Sequence, residues 1–176
     1  MKCIVLVGYM CVGKTTIGRA LAKRLGVTFY DLDWYIEERF RKRVPKIFEE
    51  DGEERFRDLE RRMLHEVAEF ENIVLACGGG TPRFFDNMAY MNSVAETYYL
   101  QASPQTICDH LAVSKGERPL LKGKSPEELR EFVTQQLAER APFYEQAHHI
   151  INVDVLDSFE KVEYVVDMIL QQLPPS

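Results

Sequence analysis

Five short apolar runs punctuate the chain, at residues 3–7, 28–32, 73–77, about 97–102 and 149–153. The stretches between them carry apolar residues at helical spacing, as Ile17, Leu21 and Leu25 do after the first run. Strands alternating with amphipathic helices predict βαβ units and a parallel sheet, so the expected fold class is α/β with three layers.

Helix punctuation supports that pattern. Ser125-Pro126-Glu127-Glu128 is a capping box with proline at the first helical position, and Asp157-Ser158-Phe159-Glu160 resembles one. Behind them Leu129, Phe132, Val133 and Leu137, then Phe159, Val162, Val166 and Ile169, form stripes that face the sheet. Ser103-Pro104 opens a further helix, and a helix from about Glu53 to Phe70 has the core stripe Phe56, Leu59, Met63, Val67 and Phe70. Residues 113–124, rich in glycine and positive charge, read as a loop. A lid closing over phosphates would need such hinges and cations, and a plain solvated connection is the other reading.

Composition narrows the class of function. With 176 residues, 45% of them apolar and 28% charged, the chain is expected to be one compact domain with an ordinary core. A net charge of −6 and the lack of a long basic run make nucleic acid a poor partner and a small ligand the better one. No stretch of about 18 apolar residues and no charged leader is visible, so the expectation is no membrane and a cytoplasmic location, with a monomer as the default. Cys3, Cys11, Cys77 and Cys108 lack both zinc-site spacing and disulfide density, and read as reduced thiols. Cys11 is either a thiol open to a lowered pKa beside a lysine and a helix N-terminus, or a small residue tolerated in its loop.

The strongest chemical signal follows the first apolar run. Gly8-Tyr9-Met10-Cys11-Val12-Gly13-Lys14-Thr15 fits G-x-x-x-x-G-K-[ST], in which backbone N–H groups and a helix N-terminus cradle nucleotide phosphates. Gly8, Cys11, Val12, Gly13, Lys14, Thr15 and Thr16 are therefore the expected ATP contacts. Lys14 is placed for the β and γ phosphates and the Thr15 hydroxyl for Mg2+.

Acidic and basic residues supply the rest. Asp31-Leu32-Asp33 closes the second apolar run, and read as strand residues Phe29, Asp31 and Asp33 share a face at the carboxyl end of the sheet, where ligands bind. Two carboxylates there suit Mg2+ near one and a substrate hydroxyl at the other; a simple N-cap by Asp33 is the alternative. Arg57 and Glu60, three apart on one helix, form either a prepared carboxylate-binding arginine or a surface ion pair. Three glycines in Cys77-Gly78-Gly79-Gly80-Thr81-Pro82 permit close approach of a ligand or positive φ. Arg140 falls on the inward side of its helix, so it either reaches an anion or snorkels. His65, His110, His148 and His149 have no metal-ligand spacing, and Tyr98 and Tyr99 read as sheet residues.

Taken jointly, Gly8 to Thr15 with Thr16-Ile17-Gly18, Asp31-Leu32-Asp33, Phe56-Arg57-Asp58-Leu59-Glu60, Gly78-Gly79-Gly80, Arg118-Pro119-Leu120-Leu121 and Arg140-Ala141-Pro142-Phe143-Tyr144 resemble the shikimate kinase family in order and spacing across nearly the whole chain. The resemblance implies a nucleoside monophosphate kinase type of phosphate-loop fold, with a five-stranded parallel sheet in order 2-3-1-4-5. It implies one kinase domain over 1–176, with a substrate-binding region at about 33–62 and a lid at about 112–124. By the same resemblance, ATP and Mg2+ serve phosphorylation of the shikimate 3-hydroxyl, a step of chorismate and aromatic amino acid biosynthesis. Arg57 and Arg140 would hold the carboxylate, and Asp33 with Gly78, Gly79 and Gly80 the hydroxyl side. Asp33 would be the base, Asp31 would orient Mg2+ through water, and Lys14 and Arg118 would contact the transferring phosphate. Cys11 stands where relatives often have glycine. Asp109-His110 stands where they commonly carry an adenine-stacking arginine, and Asn152 to Asp157 lacks their basic residue. The rival readings are a gluconate-type or nucleotide kinase of the same fold, and a catalytically silent nucleotide-binding module.

Overall fold

The computed structural model describes residues 1, 3–114, 121–154 and 159–175. Arg118 with residues 115–120 of the expected lid, and the Asp157-Ser158 cap, lie outside the described residues. Five strands, β1 (Cys3–Val7), β2 (Thr28–Asp31), β3 (Ile73–Ala76), β4 (Ala95–Gln101) and β5 (His149–Asn152), form one sheet in the order β2-β3-β1-β4-β5. Every neighbouring pair is parallel. The expected strand order is the observed one.

Burial follows position in the sheet. Central β1 and β3 are buried at every residue, as apolar runs covered on both faces should be, while edge strands β2 and β5 keep exposed positions. Among the described residues, six α-helices lie between strands and a seventh follows β5: α1 (Lys14–Leu25), α2 (Leu32–Phe40), α3 (Val44–Ala68), α4 (Asn87–Val94), α5 (Pro104–Val113), α6 (Pro126–Tyr144) and α7 (Phe159–Gln172). Alternate residues of β2 show the layering: Phe29 lies against Gly18 of α1, whereas Tyr30 packs its ring on Phe70 beyond the end of α3.

Local signals set the helix ends. Ser125 accepts from the N–H of Glu128 with Pro126 at the first position of α6, and Ser103 caps α5 in the same way through Thr106. Gly26 ends α1 at φ 68°, letting the N–H groups of Gly26 and Val27 reach the carbonyls of Lys23 and Ala22. Helix α3 differs from the expectation at both ends. It begins at Val44, with Pro45 in its first turn, and breaks at Gly52, whose φ of 81° and ψ of 167° are not helical. It stops at Ala68, so Phe70 is not part of the helical stripe but an exposed ring against Tyr30 and Tyr35. Among the described residues, no helix is long and apolar enough to cross a membrane.

Gly18 matters for packing rather than for φ. A Cβ there would lie 2.5 Å from Phe29 Cε2 and 3.3 Å from Leu6 Cδ1, so α1 approaches the sheet only because this residue has no side chain. Alanine is the better helix former by ~1 kcal/mol, but displacing Phe29 costs about 1–3 kcal/mol. Gly18→Ala is expected to lower the stability measured by urea unfolding, and pairing it with Phe29→Val should recover most of the loss. A gain in stability from the single change would show that Phe29 moves without cost.

Candidate active site

Strand register brings three loops to one level. Ala76 of β3 stands opposite both Leu6 of β1 and Asp31 of β2, so the chain leaves all three strands together at their carboxyl ends. From β1 it enters the Gly8–Thr15 loop. Gly8 has φ 152°, and a Cβ there would be 2.7 Å from the Leu100 carbonyl oxygen, so the turn out of the sheet needs glycine. Gly13, at φ 99°, then turns the chain into α1, whose first residue is Lys14. The Lys14 ammonium donates to the carbonyls of Gly8 and Tyr9, both at 2.7 Å, and so is held across the mouth of the loop. Burial lowers its pKa to about 8 against the opposing pull of Asp33. A helix N-terminus, turned backbone and a held cation make an anion cradle. Val12 is buried beneath it, and Thr16 is exposed.

The two aspartates do not sit as strand alternation predicts. Strand β2 ends at Asp31, and Asp33 lies in the first turn of α2. The cap is Asp31, whose Oδ1 accepts from the N–H of Trp34 at 3.2 Å, while its Oδ2 accepts from the Thr15 hydroxyl at 3.2 Å. This hydroxyl and carboxylate, side by side at the loop, are hard oxygen donors of the kind Mg2+ takes beside phosphate and water. No cluster of three or more His, Cys, Asp or Glu able to hold a metal occurs among the described residues. Asp33 turns instead toward the glycine loop, and burial, reinforced by Asp31 and Glu60, raises its pKa to about 7 despite Lys14.

The three glycines after β3 each face one charged side chain. A Cβ on Gly78 would be 3.2 Å from Asp33 Oδ1; on Gly79, 3.2 Å from an Arg140 guanidinium nitrogen; on Gly80, 2.8 Å from one of Arg57. None of the three has positive φ, so close approach is the reason for glycine here. Gly79 also lies against the phosphate loop, 3.4 Å from the Met10 nitrogen by the same construction. Arg57 is no surface pair: its guanidinium bonds buried Glu60 at 2.9 Å, which in turn accepts from the Thr81 hydroxyl at 2.9 Å. The guanidinium stacks 4.1 Å from the Phe84 ring centre, with Phe56 and Phe48 at 5.2 and 5.8 Å. Arg140 reaches over the Tyr9 ring at 5.5 Å. The Nε atoms of both arginines are buried without a hydrogen bond.

Several of these partners are not legible in sequence patterns. Phe48 meets Arg57 only because α3 breaks at Gly52, for which Asp51-Gly52 is the available sequence cue. Phe84 arrives from the turn after Thr81–Arg83. Tyr9 donates to Gln136 of α6, and Tyr144 donates to the Gly79 carbonyl, so α6 is tied to both loops. His110 Nδ1 bonds the Cys11 carbonyl at 2.7 Å. His148 and His149 instead share Glu96 of β4, at the β5 edge of the sheet opposite to β2, and all four cysteines are free.

Known proteins of the same build are closely similar. The family model described as shikimate kinase matches residues 10–174. The shikimate kinase of Bacteroides thetaiotaomicron is 52% identical over 170 residues, covering 97% of each chain, and that of Phocaeicola vulgatus 49% identical over 173 residues, covering 98% of this chain and 99% of its own. A crystal structure of the B. thetaiotaomicron shikimate kinase superposes with a TM-score of 0.93 at 50% identity, covering 98% of this chain and 99% of that one. The shikimate kinase of Acinetobacter baumannii, solved in complex with shikimate, gives 0.83 at 33% identity, with 99% and 96% covered.

The raised Asp33 pKa has a stability consequence. A carboxyl that titrates near 7 when folded and at its ordinary value of 3.8 otherwise favours the fold fully only below about 4, and loses that contribution as pH rises to about 7. Asp33→Asn is therefore expected to raise the melting temperature at pH 8 by about 5 °C or more, and by roughly half as much at pH 5.5. An equal or lower melting temperature at pH 8 would show that the carboxylate is compensated in the native state.

Proposed function

This chain belongs to the shikimate kinase family, and from that premise we propose how its residues divide the transfer of the ATP γ-phosphoryl group to the 3-hydroxyl of shikimate. The products are shikimate 3-phosphate and ADP, and the phosphorylated acid leads toward chorismate and the aromatic amino acids. The observation that carries the division of roles is the glycine loop, where Asp33, Arg140 and Arg57 converge on Gly78, Gly79 and Gly80 beside the phosphate loop.

The acceptor is a ring bearing one carboxylate and three hydroxyls. Arg57 and Arg140 take the carboxylate: the fixed fork geometry of guanidinium suits a bidentate anion, and the Arg140 Nε is buried with no hydrogen bond, while that of Arg57 is ion-paired to Glu53 at 3.5 Å. Glu60 holds Arg57 from behind and balances its charge while the site is empty of anion. Gly78, Gly79 and Gly80 let the hydroxyl side lie against the backbone without a methyl group in the way. Phe48 and Phe84 wall the arginine and keep water from it.

Asp33 accepts the proton of the 3-hydroxyl as that oxygen bonds to the γ-phosphorus and the bond to the ADP bridging oxygen breaks. A carboxylate with a pKa of about 7 is a far better base at neutral pH than an ordinary aspartate, while enough of it is ionised to act. Lys14 draws charge from the β and γ phosphates with the amides of Gly8, Cys11, Val12, Gly13, Thr15 and Thr16 around them. Thr15 and, through water, Asp31 would hold Mg2+, which would neutralise phosphate charge. Arg118, in the lid proposed over about 112–124, reaches the transferring group; the substrate-binding region is about 33–62, and the working unit is a monomer.

The decisive assay is ADP release from Mg-ATP with shikimate beside gluconate, AMP and no acceptor. Shikimate-dependent release that stops when Mg2+ is chelated is expected; release with gluconate or AMP alone would overturn the acceptor assignment. Asp33→Asn should reduce turnover by at least about 100-fold while ATP binding persists, and turnover at the unsubstituted rate would remove Asp33 from the mechanism. Gly80→Ala, which pushes a methyl group into Arg57, is expected to raise KM for shikimate about tenfold or more and to leave KM for ATP nearly unchanged. Equal rises in both constants would instead point to general damage to the fold.

A further inference from the structure

Cys11 is the residue in the phosphate loop whose backbone and side chain disagree. Its φ of 61° is left-handed, and unlike Gly8 and Gly13 it carries a Cβ that makes this conformation unfavourable. Such a residue stays there only when its surroundings hold it. One holding contact comes from 99 positions away: His110, in the last turn of α5, bonds the Cys11 carbonyl oxygen through Nδ1 at 2.7 Å. A carbonyl only accepts, so Nδ1 carries the hydrogen, which is true of one neutral tautomer and of the imidazolium alike. The neighbouring Asp109 is engaged along its own helix, accepting from the Gln105 amide at 2.8 Å.

We propose that His110 is a positioning residue for the nucleotide phosphates, acting through the Cys11 carbonyl. The peptide that joins Cys11 to Val12 is planar and trans, so fixing the Cys11 carbonyl toward α5 turns the Val12 N–H the opposite way. That amide is one of those assigned to phosphate. His110 therefore sets a phosphate-binding amide through the loop backbone, and couples α5 to a loop that sequence distance separates it from. The chain carries a strained residue in the loop and, in His110, the donor that stabilises it.

This inference rests on the reading that the Gly8–Thr15 loop binds ATP. The test compares His110→Phe, which keeps a ring and removes the donor, with His110→Asn, whose amide nitrogen stands at the same δ position and donates. ADP affinity in the presence of Mg2+ is measured by calorimetry, together with KM for ATP and for shikimate and the melting temperature of each variant. His110→Phe is expected to weaken ADP binding and raise KM for ATP about fivefold, with KM for shikimate within about twofold, and His110→Asn to restore both to within about twofold of the unsubstituted protein. In a Cys11→Gly background, where the left-handed turn has no strain to hold, the same His110→Phe change should shift ADP affinity by less than about twofold. Unchanged ADP affinity in His110→Phe, failure of His110→Asn to rescue, or an undiminished effect in the Cys11→Gly background overturns the positioning role. Absence of ADP binding by the unsubstituted protein would instead overturn the nucleotide assignment beneath it.

Discussion

Three charged side chains from three different helices meet at a stretch of backbone that has no Cβ atoms. Asp33 of α2, Arg57 of α3 and Arg140 of α6 each approach one glycine of Gly78-Gly79-Gly80 at a distance that a methyl group would occupy or crowd. The rest of the site depends on that absence of volume. Because Gly79 also packs on the Gly8–Thr15 loop, the same three residues fix how far Asp33, Arg57 and Arg140 stand from Lys14 and Thr15. Central strands β1 and β3, buried along their whole length, hold the two loops in register, so the distance is set by the least deformable part of the molecule.

Electrostatics explain why such an arrangement is kept rather than relaxed. Asp31, Asp33 and Glu60 lie near one another and would be unfavourable without the cations Lys14, Arg57 and Arg140 among them. Compensation is incomplete for Asp33, whose burial outweighs the attraction of Lys14 and lifts its pKa to about 7. It is more complete for Arg57, which has Glu60 behind it and three aromatic rings around it. The arginine is thereby presented with its fork oriented, and the cost of ordering that long side chain is met in folding rather than at binding. Strain at Cys11 belongs to the same pattern, a local cost carried at the site and offset by contacts from elsewhere in the fold.

The parts of the fold legible along the chain are those governed by neighbours in sequence. Five apolar runs became five strands, and the Ser103 and Ser125 caps start α5 and α6 as their sequences indicate, since a cap needs only the next three residues. Reading Asp33 as a strand residue fails for a local reason as well: Asp31 is itself a good cap, and by accepting from the Trp34 N–H it starts the helix two residues early. Phe70 fits the helical period of α3 but lies past its end, where the aromatic rings of Tyr30 and Tyr35 offer it a better surface than the core does.

By itself, the sequence determined the five strands, the helices opened by the Ser103 and Ser125 caps, the phosphate loop with Lys14 and Thr15, and the pairing of Arg57 with Glu60, because each is a matter of spacing within a few residues. It also marked Gly78, Gly79, Gly80 and Arg140 as unusual for their positions, without saying what each faces. Only the tertiary structure decided that each glycine answers a different charge, that Phe48 and Phe84 enclose Arg57, that Tyr9 and Tyr144 tie α6 to both loops, and that His110 holds Cys11. These contacts join residues from about 10 to more than 100 positions apart, and no periodicity or propensity carries information across such separations; strand order, helix packing and the level at which β1, β2 and β3 end bring them together.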